Sequence, residues 1–471
     1  MLLYEINARV TGQRFSSFSE NQFGAWRALG FDAVWLMGVW ELSPEGIRMS
    51  RRVAPDFEGS PYAIPQYRFN PDLGDDETFA AMRARAQAQN VKLILDFVPN
   101  HMARDTPLID AHPEYFIHSN RSMRDEYDDD YYLHPSGRRL AHGKDPYFAG
   151  WNDTVQLDYT VAGLRRHMCE VLKRLATACD GVRCDMAMLL LRDQIRRQWY
   201  PHLPYDAFAA AMPGEFWEEA ISETKKVNPE FLFIAEAYWD TEPKLRELGF
   251  DYTYHKSLFD QLGLERPAPA VNAHLRQTSE RFLGHSLHFI ENHDEERAAA
   301  RLSPPAARRA AALACLLPGA TLIHQGQMEG MTEKLPVQRV RPLQAHRPDE
   351  ELLEYYRTLL HVAQEPLFRE GRYVFAESNC PDMTCFWRAH GRVAELIAIP
   401  LGAGPADAPE SVHVSAPPAA FEITAGAAQS GWDKGKSVAV EPREGYWEIS
   451  AAEIARARGP ADVVRLRFTR P

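Results

Sequence analysis

Val91-Lys-Leu-Ile-Leu-Asp96-Phe-Val-Pro-Asn100-His101 decides the fold. Its apolar run is not restricted to one face, the pattern of a parallel strand covered by helices on both sides. The segment before it, Glu77 to Ala88, reads as a helix, and the same unit recurs along the chain: amphipathic helix, turn, short apolar run. Ser19 to Ala28 is helix-like and is broken at Gly30, ahead of Ala33–Trp40. Leu164, Met168, Leu172, Leu175 and Cys179 recur at three- and four-residue steps, the stripe of a helix with one buried face. Glu215 to Lys226 precedes Phe231–Ala235, and Ala306 to Leu316, stopped by Pro318-Gly319, precedes Thr321–His324. The candidate strands are Leu2–Ile6, Ala33–Trp40, Val91–Phe97, Gly181–Met186, Phe231–Ala237, Phe250–His255, Leu287–Asn292 and Thr321–Gln325. Eight such runs separated by helices fit an α/β chain folded as a (β/α)8 barrel. A doubly wound open sheet is the alternative, but no GxGxxG follows any of the strands.

Two stretches interrupt the rhythm. His101 to about Thr160 carries Pro, Asp, Tyr and His without a clear period and is too long for a plain connection. From Arg372 onward, short runs (Arg372–Ala376, Thr384–Arg388, Val393–Ile399, Phe421–Thr424, Val463–Phe468) replace the helix–strand alternation. The expected organisation is a barrel over 1–101 and 161–370, a small subdomain inserted after the third strand over 102–160, and an all-β, sandwich-like domain over 371–471. Gly402 to Pro409 is expected to be a surface loop in the last of these.

Composition narrows the function classes. The 471 residues are 45% hydrophobic and 25% charged, with 65 Asp+Glu against 53 Lys+Arg and a net charge of −12. That balance excludes an ordinary nucleic-acid-binding surface. No run of about 18 apolar residues is present, so no membrane span is expected. Met1–Val10 lacks a basic start and a cleavage site, so no signal peptide is expected. The six cysteines form no CxxC pair, which favours buried free thiols and a reducing, cytoplasmic setting.

Charged side chains end several of the strands: Asp96 with Asn100 and His101 on the third, Arg183 and Asp185 on the fourth, Glu236 on the fifth, His293 and Asp294 on the seventh. In a parallel barrel, strand C-termini open on one face, where active sites are built. An isolated carboxylate at such a position is often a helix cap or an ion-pair partner; four groups of this kind together are hard to explain as caps.

These motifs, Asp96-Phe-Val-Pro-Asn-His101, Gly181-Val-Arg-Cys-Asp185, Glu236 and Asn292-His-Asp294, resemble the four signature regions of the α-amylase family, glycoside hydrolase family 13, in the family's order. The resemblance implies that Asp185 is the nucleophile, Glu236 the acid/base and Asp294 the transition-state stabiliser of a retaining glycosidase. It makes His101 and His293 hydroxyl-binding residues, and Tyr62, in Gly59-Ser-Pro-Tyr62, a ring that stacks on sugar; Asp96 is counted with the substrate-binding set. Arg183, two residues from Asp185 on one strand face, is expected to hold that carboxylate ionised. Glu236 must stay protonated, which calls for a less polar pocket or a like-charged neighbour, with Tyr238 and Trp239 as part of its wall. Tyr147, Phe148 and Trp151 are read as core packing of the inserted subdomain, with the lining of a groove as the alternative. Arg339, Arg341 and Arg347 are read as solvated.

Where many family members carry Lys-His after the nucleophile, this chain has Met188 and Leu189. The replacement argues against the family's calcium site, for which Asn100 and Asp158 would be the candidate ligands, and no cofactor is required. It also leaves two activities open: hydrolysis of α-glucans or malto-oligosaccharides, or transfer to a sugar acceptor by a glucanotransferase or disaccharide-converting (trehalose-related) enzyme. A non-catalytic relative is disfavoured because all three carboxylates remain. The expected partner is an oligosaccharide or polysaccharide; the sequence leaves oligomeric state open.

Overall fold

Apolar residues on both faces can be buried only if the strands they form are covered on both sides, and the sheet obeys this. The computed structural model describes residues 1–119, 130–340, 347–401, 411–421, 423, 427–433 and 436–469. Strands β1 (Leu2–Asn7), β2 (Ala33–Met37), β3 (Lys92–Phe97), β4 (Gly181–Cys184), β5 (Leu232–Ala235), β6 (Tyr252–Tyr254), β7 (Ser286–His288) and β8 (Ala320–His324) close into a barrel in which each strand neighbours the next in sequence. The α/β barrel expected from the eight apolar runs is therefore the fold. β6 and β7 are shorter than their apolar runs: Phe289–Asn292 has already left the ladder and builds the turn that carries His293 and Asp294.

Local signals place the helices. Gly30 stops the helix Glu20–Leu29 in the left-handed conformation (φ 105°) that glycine alone adopts without penalty. In the helix Ala162–Ala178, Leu164, Met168, Leu172 and Leu175 form the buried face, as their spacing predicts. At the start of β4, a Cβ on Gly181 would stand 2.7 Å from the Leu232 carbonyl and 2.8 Å from Ile94, so neighbouring strands leave room only for glycine.

After β3 the chain makes short antiparallel pairs, His101–Ala103 with Thr154–Gln156 and Tyr131–Leu133 with Arg139–Ala141. The C-terminal region is a β domain. One sheet has the order Arg372–Ala376, Met383–His390, Val393–Pro400, Val464–Thr469, Ala427–Ser430, Ser437–Ala439; a second joins Ser411–Ser415, Tyr446–Ser450 and Glu441–Arg443. Trp387, Leu396 and Leu466 from the first sheet share a core with Val414, Trp447 and Ile449 from the second. Two departures occur here: Ala451–Ala457 forms a short helix, and Phe421 ends a 3-10 turn rather than starting a strand. The Gly402–Pro409 loop lies outside the described residues.

The chain divides into two compact units, one of Tyr4–Tyr254 with Leu335–Ala345, the other of Met1–Leu3, His255–Lys334 and His346–Pro471. Among the described residues no helix is long and apolar enough to cross a membrane. All six cysteines are free thiols, five of them buried.

Candidate active site

Four of the expected residues meet in the first unit because β3, β4 and β5 are consecutive, in-register neighbours: Asp96 lies opposite Arg183 across the β3–β4 pair. Arg183 is the centre. Its Nη1 donates to Asp185 Oδ1 at 2.9 Å, its Nη2 lies 2.8 Å from Glu236 Oε2, and Asp96 Oδ1 is 3.8 Å from Nη1. Arg183 does meet Asp185 as expected, and it also reaches Glu236: one guanidinium spans both carboxyl groups. Burial alone would lower its pKa, but Glu236, Tyr254, Tyr62 and Asp185 outweigh that and raise it well above the ordinary arginine value. The cation is permanent.

Glu236 has further partners. Its Oε2 accepts from the Met186 backbone N–H at 2.6 Å and its Oε1 from the Tyr238 hydroxyl at 2.7 Å. The first bond depends on Met186 adopting a left-handed conformation (φ 45°), a strain of order 1–3 kcal/mol for a residue with a side chain. Tyr238 therefore bonds the Glu236 carboxyl group directly rather than only walling its pocket, and with Arg183 and the Met186 N–H it makes that pocket polar, not the less polar one expected. Tyr62 faces Arg183, its ring 5.3 Å from the guanidinium carbon. His101 is buried beside Trp151, with ring centroids 4.9 Å apart, and burial pulls its pKa down to about 4, so it is neutral at pH 7.

Three contributors escaped sequence reasoning. Tyr254 joins the cluster, its hydroxyl accepting from Arg183 Nε at 3.2 Å, and the Trp35 ring lies 5.2 Å from the same guanidinium. The available signal was position, since Tyr254 lies at the end of the sixth strand as Asp185 and Glu236 directly follow the fourth and fifth. Met186 left none, because its role is a backbone angle.

His293 and Asp294 belong to the second unit. His293 is buried and its Nε2 lies 2.8 Å from Asp294 Oδ2; the Asp294 side chain is 41% exposed. Asn292 Oδ1 accepts from the backbone N–H groups of Asp294 and Glu295 and shapes the turn.

Asn100 and Asp158 do not fit a cation. Gln156 Nε2 donates to Asn100 Oδ1 (3.0 Å), to the Asn100 carbonyl (2.9 Å) and to the Leu157 carbonyl (3.1 Å). Asp158 accepts from Thr160 and, at 2.6 Å, from Tyr200. These N–H and O–H donors compete with a metal ion for the same oxygen lone pairs. Among the described residues no group of three or more His, Cys, Asp or Glu side chains is placed to hold one. Met188 and Leu189 are buried in a 3-10 turn.

Core packing is wrong for two of the three aromatics of the insertion. Trp151 packs on His101, but Tyr147 and Phe148 are 68% and 71% exposed. Trp239 is 37% exposed and meets Tyr147 edge to face, with centroids 5.1 Å apart. Arg339 is paired with Asp56 at 2.9 Å; Arg341 lies outside the described residues.

The family model for the alpha-amylase catalytic domain matches residues 26–351. The chain belongs to the alpha-amylase family. It is 26% identical over 343 residues to an alpha-amylase of Haloarcula japonica, covering 70% of this chain and 44% of that protein. It is also 26% identical over 242 residues to an alpha-1,4-glucan:maltose-1-phosphate maltosyltransferase of Cereibacter sphaeroides, covering 48% of this chain and 30% of that protein. The chain thus spans less than half the length of these relatives. A noncanonic maltogenic alpha-amylase from Thermotoga neapolitana shares the fold, with a TM-score of 0.75 at 22% identity over 100% of this chain and 98% of the other.

Proposed function

We propose that the chain is an α-retaining glycoside hydrolase acting on α-glucans or malto-oligosaccharides through a covalent glycosyl-enzyme intermediate. The observation that carries this is the buried Arg183 reaching Asp185 and Glu236 together at 2.9 and 2.8 Å. Retention requires two carboxyl groups about 5–5.5 Å apart, and a single guanidinium in contact with both holds them at close range. Asp185 attacks the anomeric carbon while Glu236 passes its proton to the departing glycosidic oxygen; the C–O bond to the leaving sugar breaks as the ester to Asp185 forms. A water then attacks the same carbon, gives its proton to Glu236 and frees Asp185. Asp294 is assigned by its motif to stabilise the positive charge that develops on the ring. The neutral His101 offers a hydrogen bond to a sugar hydroxyl without adding a cation.

The maltosyltransferase relatives and the exposed rings near Glu236 favour a second reading, in which a sugar replaces water in the second step. Incubation with maltotriose separates the two: glucose and maltose alone mean hydrolysis, longer oligosaccharides or trehalose mean transfer. The shared first step is tested with Asp185→Asn, which should lose glycosidase activity while remaining folded; an unaltered rate refutes the assignment. A soluble cytoplasmic setting remains part of this proposal.

A further inference from the structure

The turn that follows β7 carries His293 and Asp294, and the residues at its two ends are tied together in the interior. Glu291 and Arg297 are both buried, and Arg297 Nη1 donates to Glu291 Oε1 at 2.7 Å. Glu291 Oε2 accepts from the backbone N–H of Ala298 at 2.7 Å, so residues 292–297 leave and return at one fastened point. A buried carboxylate is costly unless it is paired and hydrogen-bonded, and here both oxygens are engaged.

Arg297 reaches beyond the turn. The same Nη1 lies 2.8 Å from Nδ1 of His324, at the end of β8, and donates to the Gln325 carbonyl at 2.7 Å. An arginine nitrogen only donates, so His324 Nδ1 is the acceptor. His324 is itself held: its backbone N–H donates to Gln327 Oε1 at 3.1 Å, and Gln327 Nε2 donates to the Tyr356 hydroxyl at 2.9 Å. Arg297 Nε donates to the Glu333 carbonyl at 3.2 Å, and the ammonium of the next residue, Lys334, bonds the Asp294 carbonyl. The segment after β8 therefore clasps the Asp294 turn at two points, and the Arg297 guanidinium forms the inner one. A surface turn ordinarily keeps more freedom than this.

We propose that Arg297 is a positioning residue for Asp294: it fixes the turn between Glu291 and the Glu333–Lys334 segment, so that the carboxylate is in place before positive charge develops on the sugar. The inference rests on the transition-state role given to Asp294. Electrostatic stabilisation of that kind works because the group is already oriented and needs no rearrangement at the moment of reaction. Displacement of such a group by about 1 Å can cost about 10^2-fold in rate. Lysine cannot replace the fork. One ammonium can meet Glu291 and the Gln325 carbonyl, but it cannot also put a donor at Glu333. The inner point of the clasp is then lost while the buried charge pair is kept.

The test is a double-variant cycle on nitrophenol release from 4-nitrophenyl α-maltoside, with melting temperatures measured alongside. Arg297→Lys should remain folded and lower kcat by about tenfold with KM nearly unchanged. Asp294→Asn should lower kcat by about 10^3-fold. Arg297→Lys added to Asp294→Asn should cost no further activity, because the group it positions no longer acts. Lys334→Met should lower kcat by about threefold, and that loss should also vanish beside Asp294→Asn. Lys334 is exposed, so this variant reads the clasp even if Arg297→Lys does not fold. A loss repeated in full beside Asp294→Asn, or wild-type kcat in folded Arg297→Lys, overturns the positioning role and leaves the glycosidase reading intact. Wild-type turnover in Asp294→Asn overturns the role given to Asp294 and this inference with it. A wild type that releases no nitrophenol overturns the glycosidase reading itself.

Discussion

In the C-terminal β domain, Arg465 and Arg467 are matched against Glu395 and Glu365. Arg465 Nε lies 2.8 Å from Glu395 Oε2, its Nη2 3.1 Å from Glu365 Oε1, and Arg467 bonds both glutamates. Two cations meet two carboxylates: Arg465, Arg467 and Glu395 lie on strands paired in the same sheet, Glu365 stands at the start of the short helix Pro366–Arg369, and Arg465 and Glu395 are fully buried. The cluster around Arg183 is buried as deeply but is not balanced: one guanidinium faces Asp96, Asp185 and Glu236. Burying charge is costly unless partners compensate it, so the balanced cluster behaves as a fastener between strands. Three carboxyl groups around one cation make a different arrangement. It suits a site where positive charge develops on a bound sugar, and its strain is the kind of local inconsistency that marks function.

Substitution of one carboxyl group in each cluster gives the largest contrast. Asp185→Asn should lower turnover by about 10^4-fold or more, with a melting temperature equal to or above the wild type because a crowded carboxylate has been relieved. Glu395→Gln should do the reverse: turnover close to the wild type, and a loss of about 3–5 kcal/mol in denaturant unfolding, since two arginines are left against Glu365. Equal stability losses in the two variants would break the distinction between them.

Acid sharpens the contrast next. Burial pulls the His101 pKa in the folded protein down to about 4 from the ordinary histidine value of 6.5. The unfolded chain therefore binds the proton first, so this contribution to stability is whole above about pH 6.5 and drains away as pH falls toward 4. The full loss is about 3 kcal/mol. His101→Gln should flatten the stability profile between those pH values, read as unfolding midpoints at pH 7 and pH 5.

Metal removal should have the smallest effect. With Gln156 Nε2 seated among Asn100 Oδ1 and the carbonyls of Asn100 and Leu157, chelation should leave the melting temperature of the wild type unchanged. Gln156→Glu would place a carboxylate among those oxygens. That variant should melt lower, and added calcium should recover part of the loss by binding the folded state. A wild type that melts lower in chelator would show that the donor arrangement around Asn100 does not replace a cation.

Much of the fold was legible because its signals are local. The barrel follows from apolar runs separated by helices with stripes at three- and four-residue steps, and Gly30 and Gly181 mark positions where only glycine fits. The candidate site was legible to the same depth, because strand ends in a parallel barrel share one face and Asp96, Arg183, Asp185 and Glu236 lie at or directly after theirs. The short β6 and the helix Ala451–Ala457 were not, since strand length and a one-turn helix depend on packing partners far away in sequence.

Residue type and order thus determined the eight strands, the charged groups that end them and the family those motifs belong to, because periodicity and strand-end position are properties of the chain itself. Only the tertiary structure decided that Arg183 spans two carboxyl groups, that Gln156 Nε2 donates to Asn100 Oδ1 and the carbonyls of Asn100 and Leu157, and that Tyr147 and Phe148 face outward instead of into a core. Each of these depends on which side chains approach one another across long stretches of chain, and on backbone angles such as that of Met186, neither of which a linear pattern encodes.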